Sequence, residues 1–210
     1  MAKIKLCGMR REQDIDYVNE VMPDYAGFIM APKFWRHITL EKLTDLSAKL
    51  DSSIMPVAVF VNQTEEFVAS VVDSGAVKMI QLHGDEDAGF AGRVREKMRT
   101  DNRFEVIKAV KVKSKDDIKA AADFPCDYLL LDAYSEETAG GTGKTFDWNL
   151  INDILDRRSF FLAGGLNPQN IQTAIDKVNP YAVDVSSGVE TDKVKDIEKM
   201  RKLVKAVRRL

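Results

Sequence analysis

Short apolar runs of strand length alternate along the whole chain with segments whose apolar residues recur every three to four positions. The runs predict strands at Ile4–Cys7, Tyr25–Met30, Pro56–Val61, Val77–Leu82, Glu105–Val110, Tyr128–Asp132, Ser159–Leu162 and Ala182–Val185. Between them, Glu12–Met22 carries Ile15, Val18, Val21 and Met22 on one face, and Leu40–Leu50 carries Leu40, Leu43, Leu46 and Leu50. Glu65–Asp73 carries Phe67, Val68, Val71 and Val72, and Val194–Val207 carries Ile197, Met200, Val204 and Val207. These are the spacings of helices that lay one face on a sheet. Continuous apolar strands alternating with such helices imply a parallel sheet buried on both faces. Eight units in 210 residues predict an α/β fold, a (β/α)8 TIM barrel that takes up residues 1–210 as a single domain. A doubly wound open sheet is the alternative. It usually carries a glycine fingerprint after its first strand, where this chain reads Cys7-Gly8-Met9-Arg10.

In a barrel the chemistry belongs at the C-terminal ends of the strands. The last two strands run into Ala163-Gly164-Gly165-Leu166-Asn167-Pro168-Gln169-Asn170 and Val185-Ser186-Ser187-Gly188-Val189-Glu190. Both turns are built of small residues that leave backbone N–H groups bare, and the loops after strands 7 and 8 commonly hold a phosphate. A small phosphorylated metabolite is the expected substrate.

The other strand ends offer candidate chemistry. Cys7 closes strand 1. It reads either as a base, since a thiol ordinarily titrates near pH 8.5, or as a small buried hydrophobe. Asp132 ends Leu129-Leu130-Leu131-Asp132; it reads as a carboxyl that holds a proton for donation, or as a loop cap or ion-pair partner. A thiol base and a carboxylic acid on opposite strands suit proton shuffling on one substrate, an isomerisation. Arg36 has the planar fork that grips a carboxylate, or is a solvated surface arginine. Gln81 and His83, in Gln81-Leu82-His83-Gly84, form a polar rim.

Composition changes this picture little. The charged fraction is 30% and the net charge −2, which makes no electrostatic case for nucleic acid. The basic residues near the C-terminus read as a solvated helix face. No apolar run approaches the roughly 18 residues that cross a bilayer, and Met1–Cys7 lacks the apolar stretch of a leader. The two cysteines, Cys7 and Cys126, fit a reducing compartment, so a cytoplasmic location is expected. No cysteine or histidine pair has zinc-site spacing, and no metal or cofactor is expected. Gly140-Gly141-Thr142-Gly143-Lys144-Thr145 resembles a P-loop at first sight, but Thr138 stands where that motif needs a glycine. The stretch reads instead as a glycine-rich lid over the site.

Six motifs in order together resemble one family. These are Lys5-Leu6-Cys7-Gly8-Met9, Val59-Phe60-Val61-Asn62, Gln81-Leu82-His83-Gly84, Gly141-Thr142-Gly143-Lys144-Thr145-Phe146-Asp147-Trp148, Gly164-Gly165-Leu166-Asn167-Pro168-Gln169-Asn170 and Asp184-Val185-Ser186-Ser187-Gly188-Val189-Glu190. They are similar to the signatures of the phosphoribosylanthranilate isomerases of tryptophan biosynthesis. The resemblance implies a cofactor-free Amadori rearrangement with Asp132 as acid and Cys7 as base. It places Arg36 on the substrate carboxylate, the N–H groups around Gly164, Gly165, Ser186, Ser187 and Gly188 on the phosphate, and Asp184 near the anilino nitrogen. Gln81 and His83 would contact the substrate. The family contains monomers and homodimers, and its partner is the small-molecule substrate. Two departures stand out. Lys33-Phe34-Trp35-Arg36 replaces the family's K-S-x-R, and Thr191-Asp192-Lys193-Val194-Lys195-Asp196 replaces its P-G-x-K-D while keeping the final Lys-Asp. Other phosphosugar barrels fit less well. A ribulose-phosphate epimerase needs metal-binding histidines and aspartates, and the chain has only His37 and His83; an indole-glycerol-phosphate synthase needs lysine and glutamate at strand ends, and strand 1 here ends in Cys7. A catalytically silent phosphometabolite sensor has no need of both Cys7 and Asp132.

Overall fold

The computed structural model describes residues 1–133, 147–151 and 159–209. Eight parallel strands hydrogen-bond in chain order and close into a barrel. They are β1 (Lys3–Cys7), β2 (Tyr25–Ile29), β3 (Met55–Phe60), β4 (Met79–Leu82), β5 (Glu105–Val112), β6 (Tyr128–Ala133), β7 (Phe160–Leu162) and β8 (Ala182–Val185). Each begins and ends within two residues of its expected bounds, and the open-sheet alternative is set aside. The glycine-rich lid expected at 140–145 lies outside the described residues.

The chain forms two compact units, one of Cys7–Lys108 with Pro125–Asp127 and the other of Met1–Leu6, Ala109–Phe124 and Tyr128–Leu210. In the first, α1 (Glu12–Val21), α2 (Leu40–Ser47), α3 (Glu65–Asp73) and α4 (Phe90–Lys97) alternate with β2, β3 and β4. Ile15, Val18, Val21, Leu43, Leu46, Val68, Val71 and Val72, all read from the sequence as helix-face residues, are buried. Thr39 and Thr64 accept the N–H groups of Lys42 and Phe67 and start α2 and α3. The predicted α2 ends three residues early, because the backbone tightens after Ser47, with Lys49 donating to Leu46 and Leu50 to Ser47.

In the second unit, α5 (Lys115–Ala121), α6 (Ile171–Val178) and α7 (Ile197–Arg208) accompany β6, β7, β8 and β1. Leu129, Leu130 and Leu131 are fully buried in β6, as expected of a strand covered on both faces. One expectation is corrected here. The helix read from Val194 starts at Ile197, and Val194–Lys195 is instead a short strand, β10, paired antiparallel with β9 (Glu190–Thr191). Asp196 stops the helix from extending backward: its carboxylate accepts the N–H groups of Glu198 and Lys199. Asp192 and Lys193, both with positive φ, form the two-residue turn of this hairpin. The altered sequence after Glu190 thus makes a tight hairpin without the family's Pro and Gly.

Candidate active site

The two glycine turns come together in the second unit. Gly164 and Gly165 have φ of 86° and 66°, a left-handed path that glycine adopts without the steric cost of a Cβ. Asn167 and Asn170 fix this turn. Asn167 Oδ1 accepts the N–H groups of Gln169 and Asn170, and the Asn170 amide donates to the Gly165 carbonyl at 2.9 Å. A Cβ at Gly164 would lie 2.9 Å from Asp132 Oδ1 and 2.4 Å from the Ala133 nitrogen. The bare glycine lets the strand-7 turn close onto the strand-6 carboxyl. A Cβ at Gly188 would sit 1.9 Å from the Leu166 carbonyl oxygen, so the two turns are in direct contact. Among the described residues, the N–H groups of Gly164, Gly165, Ser187 and Gly188 donate to no protein acceptor. Four such donors on two touching turns are an arrangement that can receive an anion.

A buried pair supports the second turn. Lys195 Nζ lies 2.7 Å from Glu190 Oε1 and 3.0 Å from the Ser186 carbonyl, and Lys199 Nζ donates to the Glu190 carbonyl at 2.6 Å. The persistent Lys-Asp of this region is therefore an anchor: Lys195 holds Ser186, and Asp196 caps α7. The Thr191 hydroxyl, together with the N–H groups of Lys199 and Glu198, holds the Asp196 carboxyl below the ordinary carboxylate range.

Asp132, one residue before the end of β6, is 8% exposed. Asp184 sits on β8 opposite Lys5 on β1. Lys5 Nζ donates to Asp184 Oδ2 at 2.8 Å, with the two side chains 0% and 9% exposed. Sequence reading passed over Lys5. The available signal was a lysine between Ile4 and Leu6 in an otherwise buried strand, since a lysine is almost never fully buried without a partner.

In the first unit, Cys7 is buried beneath Gly27, where a Cβ would lie 2.7 Å from the thiol sulfur. The N–H groups of Gly8 and Met9 both donate to the Gly27 carbonyl, and Asp14, itself buried, accepts the N–H groups of Arg10 and Arg11. The turn after β1 is thereby tied at both ends. The Arg36 guanidinium lies over the Trp35 ring at 4.1 Å, with Arg10 at 5.1 Å from the same ring. The aromatic departure thus gives Arg36 a platform.

Gln81 is buried, and its amide nitrogen lies 2.8 Å from His83 Nδ1. Gln81 Oε1 is buried with no partner among the described residues. Lys108, Glu86, Asn62 and Gly84 make a network that sequence reading missed. Lys108 Nζ donates to the Gly84 carbonyl and to Glu86, while Glu86 accepts the N–H groups of Asn62 and Gly84. Asn62 adopts a positive φ, and its side chain would meet any Cβ on Gly84 at 2.2 Å. The Asn and Gly that end two of the motifs are one contact between loops. Among the described residues no group of His, Cys, Asp and Glu could hold a metal, and no helix is long and apolar enough to cross a membrane.

Comparison with known proteins agrees along the whole chain. The family model described as N-(5'phosphoribosyl)anthranilate (PRA) isomerase matches residues 4–206. The N-(5'-phosphoribosyl)anthranilate isomerase of Acetivibrio thermocellus is 44% identical over 211 residues, covering 99% of this chain and 96% of the relative. The crystal structure of phosphoribosyl anthranilate isomerase from Thermotoga maritima superposes with a TM-score of 0.90 at 37% identity, covering 100% of both chains. A further phosphoribosyl anthranilate isomerase structure, in complex with reduced 1-(o-carboxyphenylamino)-1-deoxyribulose 5-phosphate, has a TM-score of 0.86 at 34% identity and covers 100% of both chains.

Proposed function

Because the chain belongs to the N-(5'-phosphoribosyl)anthranilate isomerase family, we propose that Cys7 and Asp132, at the ends of β1 and β6, carry its acid–base chemistry. The protein is an isomerase of tryptophan biosynthesis that converts the aldose N-(5-phosphoribosyl)anthranilate into the ketose 1-(2-carboxyphenylamino)-1-deoxyribulose 5-phosphate. In the proposed course, Asp132 gives its proton to the ribose ring oxygen and the C1′–O bond breaks. The nitrogen lone pair closes a C1′=N iminium. Cys7 then takes the C2′ proton, and the freed pair forms C1′=C2′ while the iminium pair returns to nitrogen. The resulting enolamine tautomerises to the ketone. No redox partner is required, since two carbons exchange oxidation level within one molecule.

Arg36 holds the substrate carboxylate, with its guanidinium set by Trp35. Gln81 and His83 line the substrate. The phosphate sits on the N–H groups of Gly164, Gly165, Ser187 and Gly188, with Ser186 anchored behind them. The single observation that carries this reading is the contact between the two glycine turns, with four backbone donors that have no protein acceptor among the described residues. A location in the cytoplasm accords with the cysteine usage.

The test is the decay of anthranilate-type fluorescence when the protein meets freshly generated phosphoribosylanthranilate. Wild-type protein is expected to speed the decay, and Cys7→Ser and Asp132→Asn each to lower kcat by about 100- to 10,000-fold. Either variant turning over at the wild-type rate would remove that residue from the chemistry.

A further inference from the structure

The Asp184 carboxylate is half satisfied. Its Oδ2 accepts from Lys5, while its Oδ1 is buried with no hydrogen-bond partner among the described residues. Buried polar atoms are ordinarily paired, and an orphan on a charged group has a high energetic cost. Such an atom points to a donor that arrives with the ligand. The substrate brings one suitable donor, the anilino N–H, which turns into an iminium N–H when the ring opens.

Lys5 explains how this carboxylate is held. Its side chain has no exposure to water, and the ion pair spans the adjacent strands β1 and β8 at paired register positions. A carboxylate with two equivalent oxygens is free to rotate about its terminal bond, and a fixed ammonium on Oδ2 removes that freedom. From this we infer that Lys5 is a positioning residue of the isomerase. It clamps Asp184 so that Oδ1 is presented as an acceptor for the substrate nitrogen. The clamp matters most when positive charge develops on nitrogen, so it acts on the chemical step more than on binding. Lys5 acts through Asp184. The inference rests on the proposed contact of Asp184 with the substrate nitrogen.

The test is a double-mutant cycle read as kcat and KM in the fluorescence assay, with Lys5→Met, Asp184→Asn and the double variant. Lys5→Met keeps the chain's length and bulk and removes its charge. It is expected to lower kcat about 10- to 100-fold, the loss of one charged hydrogen bond in the transition state. KM should stay within about threefold, because the phosphate and carboxylate contacts are untouched. The double variant should match Asp184→Asn within about threefold. A loss in the double variant equal to the product of the single losses would overturn the inference, as would Lys5→Met at the wild-type kcat beside an impaired Asp184→Asn. If Asp184→Asn itself turned over at the wild-type rate, the Asp184 contact would fall and the inference with it. An inactive wild-type protein would instead fault the isomerase reading. Should Lys5→Met not fold, comparison of the double variant with Asp184→Asn decides alone: kcat within threefold supports the clamp, and a further tenfold drop refutes it.

Discussion

The substitution Gly188→Ala tests the anion cradle by geometry. The new Cβ would lie 1.9 Å from the Leu166 oxygen, 3.0 Å from its carbonyl carbon and 3.1 Å from the Asn167 Cα. All three are backbone atoms, so no side chain can swing away. Reaching the 3.4 Å of ordinary contact requires the two turns to part by about 1.5 Å. A phosphate hydrogen-bonded to both turns at about 2.9 Å cannot keep both sets of donors across such a gap. Loss of one charge-assisted hydrogen bond of about 1.5–3 kcal/mol corresponds to a factor of roughly 10 to 150. The phosphate is remote from the reacting carbons, so most of this should appear in KM. The strain of the crowded turn adds about 1–3 kcal/mol of destabilisation. The assay is steady-state turnover by fluorescence decay, with melting curves recorded in the presence and absence of inorganic phosphate. Wild-type protein should melt higher with phosphate, and the variant should lose most of that shift. A folded Gly188→Ala protein with an unchanged KM and an intact phosphate shift would refute the cradle.

Further predictions follow from single contacts. Trp35→Ala removes the ring beneath Arg36, and at roughly 0.5–1 kcal/mol for an exposed cation–π contact KM should rise about two- to fivefold with kcat unchanged; no rise would separate Trp35 from the carboxylate clamp. Gly92→Ala, at an exposed position of α4 with nothing within 4 Å of the new Cβ, should stabilise the protein by about 0.5–1 kcal/mol and raise Tm by roughly 2–3 °C, measurable by calorimetry. For Asp196, the folded carboxyl titrates below its unfolded value. Its contribution is therefore complete above about pH 4 and is lost as the pH falls through the folded value. Urea unfolding should show the gap between wild type and Asp196→Asn constant from pH 7 to 5 and shrinking on further acidification; a gap independent of pH would contradict this.

Much of the fold was legible in the chain because barrel strands and helices carry local signals. Eight apolar runs of the right length, and apolar residues recurring every three to four positions between them, mark elements without knowledge of their neighbours. Period alone failed at Val194, whose spacing continues the helix. The cap at Asp196 and the pairing of Lys195 with Glu190 decide otherwise, since Lys195 packs as part of a strand. The candidate site was legible to the extent that its residues stand next to glycines or at strand ends, as Cys7, Asp132 and Gly188 do.

What the sequence determined by itself is therefore the alternation of elements, the barrel, and the family through six motifs in order. Tertiary structure decided which charges meet. Lys5 and Asp184 are 179 positions apart, and only the register of β1 against β8 makes them partners. The same holds for Gly188 against Leu166, and for Lys108 with Glu86, Asn62 and Gly84. The physical reason is one of range. Periodicity and capping act over a few residues of backbone, whereas the worth of a buried charge, or the need for a missing Cβ, depends on atoms that closure of the sheet brings together.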